Sequence, residues 1–188
     1  MTEVLVVVDH VDGTIAKPTL ELLAIARRLG EPSAIYFGGG DVPGVLAEHG
    51  AEKIYQLDDA AYADFLVAPK AEAIAKIVAD TSPAAVLFSS SSEGKEIAAR
   101  VALKAESGLI TDAVDVTADG VTTQSVFAGS YTVKSQVTKG AAIITVKPNA
   151  AAIEPAPAAA DIEQVDVTLS DLAKAAPITA PRRISSLI

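Results

Sequence analysis

The 188-residue sequence has no cysteine and no tryptophan, and aromatic residues make up only 4% of it. Without cysteine the chain forms no disulfide, holds no metal through thiolates and has no cysteine nucleophile, which fits a reducing compartment. Half of the residues are nevertheless apolar, mainly Ala, Val, Ile and Leu. This composition predicts a core of small aliphatic side chains, as in helices packed on a sheet.

Positive charge is also scarce, because 15 Lys and Arg residues face 24 Asp and Glu residues and leave a net charge of −9. Nucleic-acid binders neutralise phosphates with clustered Lys and Arg, so we expect no nucleic-acid partner. The apolar run Val4–Val8 is short and follows an acidic residue, unlike a signal peptide. No run approaches the roughly 20 apolar residues of a membrane span. We therefore expect a soluble intracellular protein that is not inserted in a membrane.

Residues 84–115 have the pattern of one strand–helix–strand unit. The run Ala84–Phe88 is short and continuously apolar, which is typical of a strand buried on both faces. Four serines follow, with Ser92 as the predicted N-cap, and apolar residues then recur at spacings of three and four until Gly108. Leu109 opens another apolar segment. Such a unit requires a parallel sheet.

The same rhythm covers the first half of the chain. Three further strands are predicted at Val4–Val8, Ala34–Phe37 and Lys53–Leu57. A helix is predicted from about Tyr62 to Ala79, with Pro69 as a kink or as a break between two helices. The alternation predicts an α/β fold with an open, three-layer, mostly parallel sheet, Rossmann-like and similar to the adenine nucleotide alpha hydrolases.

The pattern changes after Val116. The runs Val121–Phe127 and Tyr131–Val137 predict a hairpin, and Ala142–Val146 predicts a third strand close behind it. Because these connections are too short for crossover helices, we expect an added antiparallel hairpin region that includes the third strand.

A Pro/Ala-rich linker leads from there to a last β-like run, Gln164–Leu169. Beyond it the sequence shows no apolar period. We predict one domain over residues 1–170 and an interdomain linker or disordered tail over residues 171–188.

The serine-rich loop Ser89–Lys95 is the main candidate site. It lies between the carboxyl end of a predicted parallel strand and a helix N-terminus, where backbone N–H groups and the helix dipole attract anions. If the first and fourth strands are neighbours, Asp9, His10 and Gly13 lie nearby. The weak anion or nucleotide candidates are Ser90, Ser91, Ser92, Gly94 and Lys95. The loop lacks P-loop spacing and contains Glu93, which repels phosphate, so the pattern favours a structural loop with a solvated lysine.

Other polar residues give weaker signals. His10 follows a strand without a Ser or Cys nucleophile near it, which favours a structural role over that of a general base. His49 is predicted to cap the end of a short helix. Gly38–Gly40 does not have the GxGxxG spacing and is predicted to be a turn with positive φ. Asp112 and Asp115 form a candidate metal pair, but the sequence offers no third ligand close by, which favours loop or interface roles.

Several motifs together resemble the N-terminal domain of the electron transfer flavoprotein alpha subunit. A small-residue loop is followed by Gly94-Lys95-Glu96 at a helix start, and a Gly-Leu-x-x-Asp-x-x-Asp pattern runs from Gly108 to Asp115. The later runs VFAGSYTVKSQV and AAIITVKPNA also match. The resemblance extends from about Thr2 to Leu169, but no Gly/Arg-rich FAD-binding segment follows it in this sequence.

The resemblance implies an electron carrier subunit without catalytic residues of its own. It implies a beta subunit as partner, and FAD in the full-length heterodimer but not on the residues of this chain. Through the full complex it implies acyl-CoA-type dehydrogenases as electron donors and a quinone oxidoreductase as acceptor, as in fatty acid beta-oxidation. It also implies a bacterial cytoplasmic location and allows for AMP in the partner subunit.

A second function class stays open at this point. The same sheet type occurs in free-standing adenine-nucleotide-binding modules of the universal stress protein type. Those modules need a glycine-rich phosphate loop late in the sheet, and the sequence contains no such loop. This absence favours the electron-carrier hypothesis.

Overall fold

The computed structural model describes residues 2–179 and contains a nine-stranded sheet with helices on both faces. The strands are β1 (Glu3–Val7), β2 (His10–Val11), β3 (Thr14–Ile15), β4 (Glu31–Phe37), β5 (Lys53–Leu57), β6 (Ala85–Ser89), β7 (Leu109–Val116), β8 (Thr122–Val126), β9 (Tyr131–Ser135), β10 (Ala142–Val146) and β11 (Asp161–Gln164). The helices are α1 (Lys17–Leu29), α2 (Val45–Glu48), α3 (Ala61–Asp64), α4 (Ala68–Thr81) and α5 (Ser92–Lys104). The predicted open, mostly parallel α/β fold is confirmed.

The strands of the large sheet lie in the order β11-β5-β4-β1-β6-β10-β7-β8-β9. At its centre β1 pairs in parallel with β4 on one side and with β6 on the other. The chain first winds outward from β1 to β4 and β5, and then returns through α3 and α4 to β6. A crevice therefore opens between the carboxyl ends of β1 and β6, where the winding direction reverses. The first and fourth predicted strands correspond to β1 and β6. The prediction that they are neighbours is confirmed.

Apolar side chains cover both faces of the sheet. α1 packs on β1, β4 and β6 on one face, and α5 packs on β6, β10 and β7 on the other, next to α4. Within β6, Ala85 and Leu87 face α1, whereas Val86 and Phe88 face α4 and α5. The strand is buried on both sides, which explains its continuous apolar sequence.

The helix predicted over Tyr62–Ala79 is broken into α3 and α4. Pro69 lies in the first turn of α4, where the missing N–H would have no partner in the helix anyway. The alternative of a break between two helices is therefore correct, and the kink is wrong.

The strand β10 corrects the prediction of a wholly antiparallel region. It lies between β6 and β7 and pairs in parallel with both. The reason is that β8 and β9 replace a crossover helix: they extend the sheet beyond β7, and residues 136–141 then lead the chain back to the start of β10. Gly108 N donates to Lys139 O at 3.0 Å along this return path.

The predicted hairpin itself is confirmed, since β7, β8 and β9 form an antiparallel ribbon at one end of the sheet. Its tip contains three consecutive residues with positive φ, which are Phe127 (φ 50°), Ala128 (φ 54°) and Gly129 (φ 87°). The outer strand β9 is exposed along most of its length.

The last strand differs from the predicted run Gln164–Leu169. β11 pairs in parallel with β5, and Lys53 Nζ lies 2.5 Å from Glu163 Oε2, which raises the pKa of Lys53. Past β11, Val165, Val167 and Leu169 pack against the core on the α4 side. Val165 N still donates to Gln56 O of β5 at 2.8 Å, and beyond it the alternation reflects burial of an extended segment.

Residues 171–179 return to the region around α3. Leu66 N donates to Ala176 O at 3.0 Å, and Ile178 N donates to Asp64 O at 2.8 Å. The proposed division at residue 170 stays a prediction, and residues 180–188 of the predicted tail lie outside the described residues. Among residues 2–179, none of the helices is long and apolar enough to cross a membrane.

The turn from β6 into α5 depends on Gly94, because a Cβ there would lie 2.1 Å from the backbone oxygen of Ser89. Glycine-to-alanine changes inside helices usually stabilise by about 1 kcal/mol. We expect the opposite for Gly94→Ala, a loss of at least about 2 kcal/mol in the free energy of unfolding, measured in urea. Gly44→Ala is the control, since a Cβ there meets no described atom within 4 Å, and it should change stability by less than about 0.5 kcal/mol. A stabilised Gly94→Ala protein would contradict this account of the turn.

Candidate functional site

A cleft of about 600 Å³ lies at the carboxyl ends of the central strands. Its walls come from the segments after β1, β4, β5 and β6 and from α3, α4 and α5. This is where a doubly wound sheet usually holds a ligand. The predicted neighbours Asp9 and His10 line the cleft together with Ser91, but Gly13 is not among the lining residues.

The cleft is rich in carboxylates. Asp9, Asp58, Asp59 and Glu93 line it, and the lining contains one lysine, Lys70. Lys70 Nζ lies 2.7 Å from Glu93 Oε1, so its charge is already paired. A phosphate placed here would lie beside carboxylates whose charge Lys70 does not compensate, which is electrostatically unfavourable. The excess of carboxylates therefore argues against a nucleotide phosphate in the cleft.

Two of these carboxylates have structural roles. Asp59 Oδ1 accepts a hydrogen bond at 2.7 Å from the backbone N–H of Ala61, the first residue of α3. The carboxylate of Asp58 lies against Gly39, where a Cβ would be 2.6 Å from its oxygens. Of the three consecutive glycines only Gly40 has positive φ, so the turn prediction is right for Gly40, while Gly39 packs closely against the Asp58 carboxylate.

Tyr62 forms part of the apolar wall. Burial, with a smaller effect of Asp59, raises the pKa of Tyr62 to about 12. Its ring packs on Phe37 with 4.7 Å between the centroids. The phenol is therefore an uncharged group in the wall of the cleft at neutral pH.

His10 is held by backbone groups on both sides. Its Nε2 donates to Phe37 O at 2.7 Å, and its Nδ1 accepts from Gly13 N at 3.3 Å. The ring also packs on Tyr36, with centroids 4.7 Å apart. Both nitrogens are occupied, so this geometry supports the structural interpretation of His10 and does not present a general base.

The serine-rich loop divides between two environments. Ser89 is the buried last residue of β6 and not part of the loop. Ser90 points away from the cleft: its hydroxyl donates to Asp112 Oδ1 at 2.5 Å and lies 2.9 Å from Thr145 Oγ1. Ser91 faces the cleft and caps α5, because its Oγ accepts from Gly94 N at 2.9 Å.

The prediction of Ser92 as the N-cap is therefore wrong by one residue. Ser91 has the extended backbone (φ −78°, ψ 168°) that a cap requires, and Ser92 is already the first helical residue. Runs of serine leave the position of a cap undetermined by one residue, since each member has the same side chain.

Lys95 is not a freely solvated cation. Its Nζ lies 3.4 Å from Asp112 Oδ1, and both side chains are about two-fifths exposed. The hydrogen bond from Ser90 and the charge of Lys95 lower the pKa of Asp112, whose backbone adopts φ 59°. We call Ser90, Lys95, Asp112 and Thr145 the Asp112 cluster. Lys95 is paired within the domain, on the far side of the loop from the cleft, which weakens its case as a phosphate ligand.

The sequence analysis did not predict the Asp112 cluster, because its residues come from three separate segments of the chain. Thr145 is fully buried in β10, and its Oγ1 accepts from Asp112 N at 3.0 Å. Asp112 and Asp115 do not converge: Asp115 Oδ1 instead binds Arg28 at 3.1 Å. No group of three His, Asp or Glu side chains suited to a metal ion occurs among the described residues.

His49 ends α2 as predicted. It is the C-cap residue, and its Nδ1 donates to Val45 O at 2.8 Å. Arg27 donates to the carbonyl oxygen of His49 at 2.6 Å. This contact ties the end of α2 to α1.

The cleft does not fit a flavin dinucleotide. Its pyrophosphate requires N–H donors from a glycine-rich turn or basic side chains. Gly39 is covered by the Asp58 carboxylate, and Lys70 is paired with Glu93. The charge and the close packing in the cleft therefore do not fit the pyrophosphate of FAD.

Comparison with known proteins matches residues 4–170 to the electron transfer flavoprotein domain. The chain is 40% identical to an electron transfer flavoprotein subunit alpha of Mycobacterium tuberculosis, over 89% of this chain and 53% of that protein. The corresponding protein of Mycobacterium leprae gives the same identity and coverage. A subunit alpha of Syntrophomonas wolfei is 32% identical over 75% of this chain and 46% of its own length. The chain thus spans about half the length of the curated relatives it matches.

The Asp112 cluster predicts a measurable titration effect. Ser90→Ala removes the main interaction that lowers the pKa of Asp112, so this carboxyl should titrate closer to its ordinary value of about 3.9. Because the folded-state pKa of Asp112 is depressed, the stability it contributes is present above the unfolded pKa and is lost as the pH falls through the folded value. The stability difference between wild type and Ser90→Ala should accordingly shrink below about pH 4.

Carboxyl-carbon NMR titration and urea unfolding at several pH values measure these two effects. Ser92→Ala is the matched control, because Ser92 lies outside the Asp112 cluster, and it should leave the Asp112 titration unchanged. An Asp112 pKa that is the same in wild type and Ser90→Ala would contradict the role of the Ser90 hydrogen bond.

Proposed function

The chain belongs to the electron transfer flavoprotein family, and from this premise we propose that it is the N-terminal scaffold and subunit-association domain of an alpha subunit. The domain binds a beta subunit and orients it, and the heterodimer carries electrons from acyl-CoA-type dehydrogenases through a quinone oxidoreductase to the respiratory chain. Fatty acid beta-oxidation supplies such donors. The protein works in the bacterial cytoplasm.

The observation that carries the scaffold role is the electrostatics of the cleft. The fold places a crevice where related sheets hold nucleotides, yet four carboxylates line it and its single lysine is paired. Lys95, in the first turn of α5, is paired with Asp112. The described lining of the cleft therefore offers no unpaired lysine to a phosphate, which supports a role in holding a partner over a role in holding a nucleotide.

In this proposal the chain does no redox chemistry of its own. Its described residues include no cysteine, and Tyr62, the tyrosine at the cleft, has a raised pKa and remains a protonated phenol. FAD belongs to the full-length heterodimer and supplies the electron-accepting chemistry there. AMP, where present, belongs to the beta subunit.

The alternative of a universal-stress-type nucleotide module receives no support from the site. Ser91 uses its hydroxyl to cap α5, and Ser90 uses its hydroxyl within the Asp112 cluster. Of the loop candidates, Ser92 is left to meet an anion, because Gly94 N and Lys95 N both donate to Ser91, and Glu93 lies beside Ser92.

Association with the beta subunit tests the proposal directly. Sedimentation velocity of the chain mixed with an electron transfer flavoprotein beta subunit from the same organism should show a 1:1 complex. This complex should sediment without bound flavin. The flavin content of the complex is read from its visible absorbance. A chain that sediments alone at every ratio, or that is purified with stoichiometric flavin, would refute the proposed role.

Nucleotide binding supplies a second test. The scaffold role predicts no thermal shift with millimolar AMP or ATP. A phosphate site would instead stabilise the protein by about 2.7 kcal/mol at a hundredfold excess of ligand over Kd. Lys95→Ala should cost less than about 1 kcal/mol, since the partly exposed pair with Asp112 is weak. Lys104→Ala, on the last turn of the same helix, is the control. A nucleotide-induced shift that disappears in Lys95→Ala but not in Lys104→Ala would establish the alternative.

A further inference from the structure

The cleft at the carboxyl ends of the central strands carries more negative charge than its own lining neutralises. Asp9, Asp58, Asp59 and Glu93 line it, and Lys70 is paired with Glu93. None of the ion pairs between described residues includes Asp9, Asp58 or Asp59. Carboxylates gathered at a partly enclosed site repel one another, so a cation that enters the cleft is electrostatically favoured.

The lining of the cleft favours an organic cation over a metal ion. No group of three His, Asp or Glu side chains among residues 2–179 is arranged to hold a metal. The cleft instead combines its carboxylates with an apolar wall that includes Phe37, Tyr62 and Ile97. An arginine suits both parts, because its planar guanidinium forms paired hydrogen bonds with carboxylates while its aliphatic stem packs on apolar surface.

The chain itself runs towards this cleft at the end of the described residues. Residues 176–178 lie antiparallel to residues 64–66, held by backbone hydrogen bonds of 3.0 and 2.8 Å and by an isolated bridge between Phe65 and Pro177. In this register each residue further along the chain lies beside a lower-numbered residue. The continuation is therefore directed at the start of α3, where Asp59 lies.

The end of the described chain is also close to the cleft. Ile178 lines a groove of about 370 Å³ that shares Tyr62, Lys70 and Glu93 with the cleft, so the groove and the cleft adjoin. An extended chain covers at most about 3.5 Å per residue, so the four residues that follow Thr179 reach up to roughly 14 Å further. The cleft is within that reach.

The sequence of residues 180–188 complements the charge of the cleft. It contains Arg182 and Arg183 and no Asp or Glu, although the whole chain has a net charge of −9. The other three arginines of the chain already bind carboxylates or backbone carbonyls, and they are Arg27, Arg28 and Arg100. Complementary charge, together with the direction of the chain, favours this segment over a separate protein as the occupant of the cleft.

We propose that residues 180–188 continue along α3 into the cleft, where Arg182 and Arg183 bind the carboxylates of Asp58 and Asp59. The chain thereby fills, with its own side chains, the crevice in which a doubly wound sheet usually holds a ligand. This inference goes beyond the proposed function and does not depend on it, since no beta subunit takes part in the contact.

A spin label on the segment tests the contact. The chain has no native cysteine, so Ser186→Cys supplies a single attachment point for a nitroxide. In the labelled, isotope-enriched chain of 188 residues, the amide NMR signals of Gly39 and Ala60 in the cleft should be strongly broadened. The signals of Gly120 and Gly140 should stay sharp, because these residues lie at the opposite end of the sheet.

Variants on both sides of the contact identify its cause. Arg182→Ser with Arg183→Ser should reduce the broadening in the cleft at least about fivefold, since it removes two ion pairs. Asp58→Asn should reduce it less. Lys174→Ser is the matched control, because Lys174 is an exposed cation in the same terminal region that does not line the cleft, and it should leave the broadening unchanged. Circular dichroism establishes that each variant is folded.

Salt gives an independent measurement on the unaltered segment. At 1 M ionic strength the Debye length falls to about 3 Å, so the broadening should decrease towards that of the double arginine variant. Broadening that resists salt would contradict binding through the arginines.

Three further results would overturn the inference. A cleft that is not broadened in the wild-type segment places residues 180–188 elsewhere. Equal broadening in wild type and in the double arginine variant means that the segment passes the cleft without binding through its arginines. Labelled chains without isotope enrichment, mixed with enriched chains without label, detect contacts between copies. If the broadening appears only in that mixture, the segment of a second copy fills the cleft.

Discussion

The parallel pairing of β1 with β6 is the interaction on which the architecture depends. Val4, Leu5 and Val6 pair with Ala85, Val86 and Leu87 and form the centre of the sheet. The pairing sends α1 to one face and α5 to the other, because the chain winds in opposite directions from this line. It also opens the cleft and turns Ser90 and Ser91 to opposite sides of one loop, so core, cleft and Asp112 cluster all follow from it.

Helices and strands whose pattern depends only on neighbouring residues could be predicted from the sequence. The strand β5 agrees with the predicted bounds Lys53–Leu57, and α5 differs from prediction by one residue at its cap, because apolar periodicity and caps are properties of neighbouring residues. The parallel placement of β10 was not predictable in this way, since a fully buried strand has the same sequence pattern whichever direction its neighbours run. The contact between Thr145 and Asp112 was equally unpredictable, because it exists only after β10 has entered the sheet.

The cleft illustrates how fold and function separate. Its position followed from topology, but its character comes from Asp58 and Asp59, which lie directly after β5 and were available as a signal. Acidic residues at the carboxyl end of a parallel strand invert the charge that a nucleotide site would need. The sheet provides the crevice, while the electrostatics of the crevice disfavour a phosphate ligand.

The insertion of β10 between β6 and β7 has a consequence for the order of folding. Ala142 pairs with Ala85 and Ile143 with Leu109, so the centre of the sheet cannot close until β10 has entered between β6 and β7. Pairings between residues so distant in sequence form slowly, because the loop must lose its freedom before any contact rewards it. Until then β6 and β7 each present an open edge, and the β8–β9 hairpin is the connection that leads the chain back to fill the gap between them.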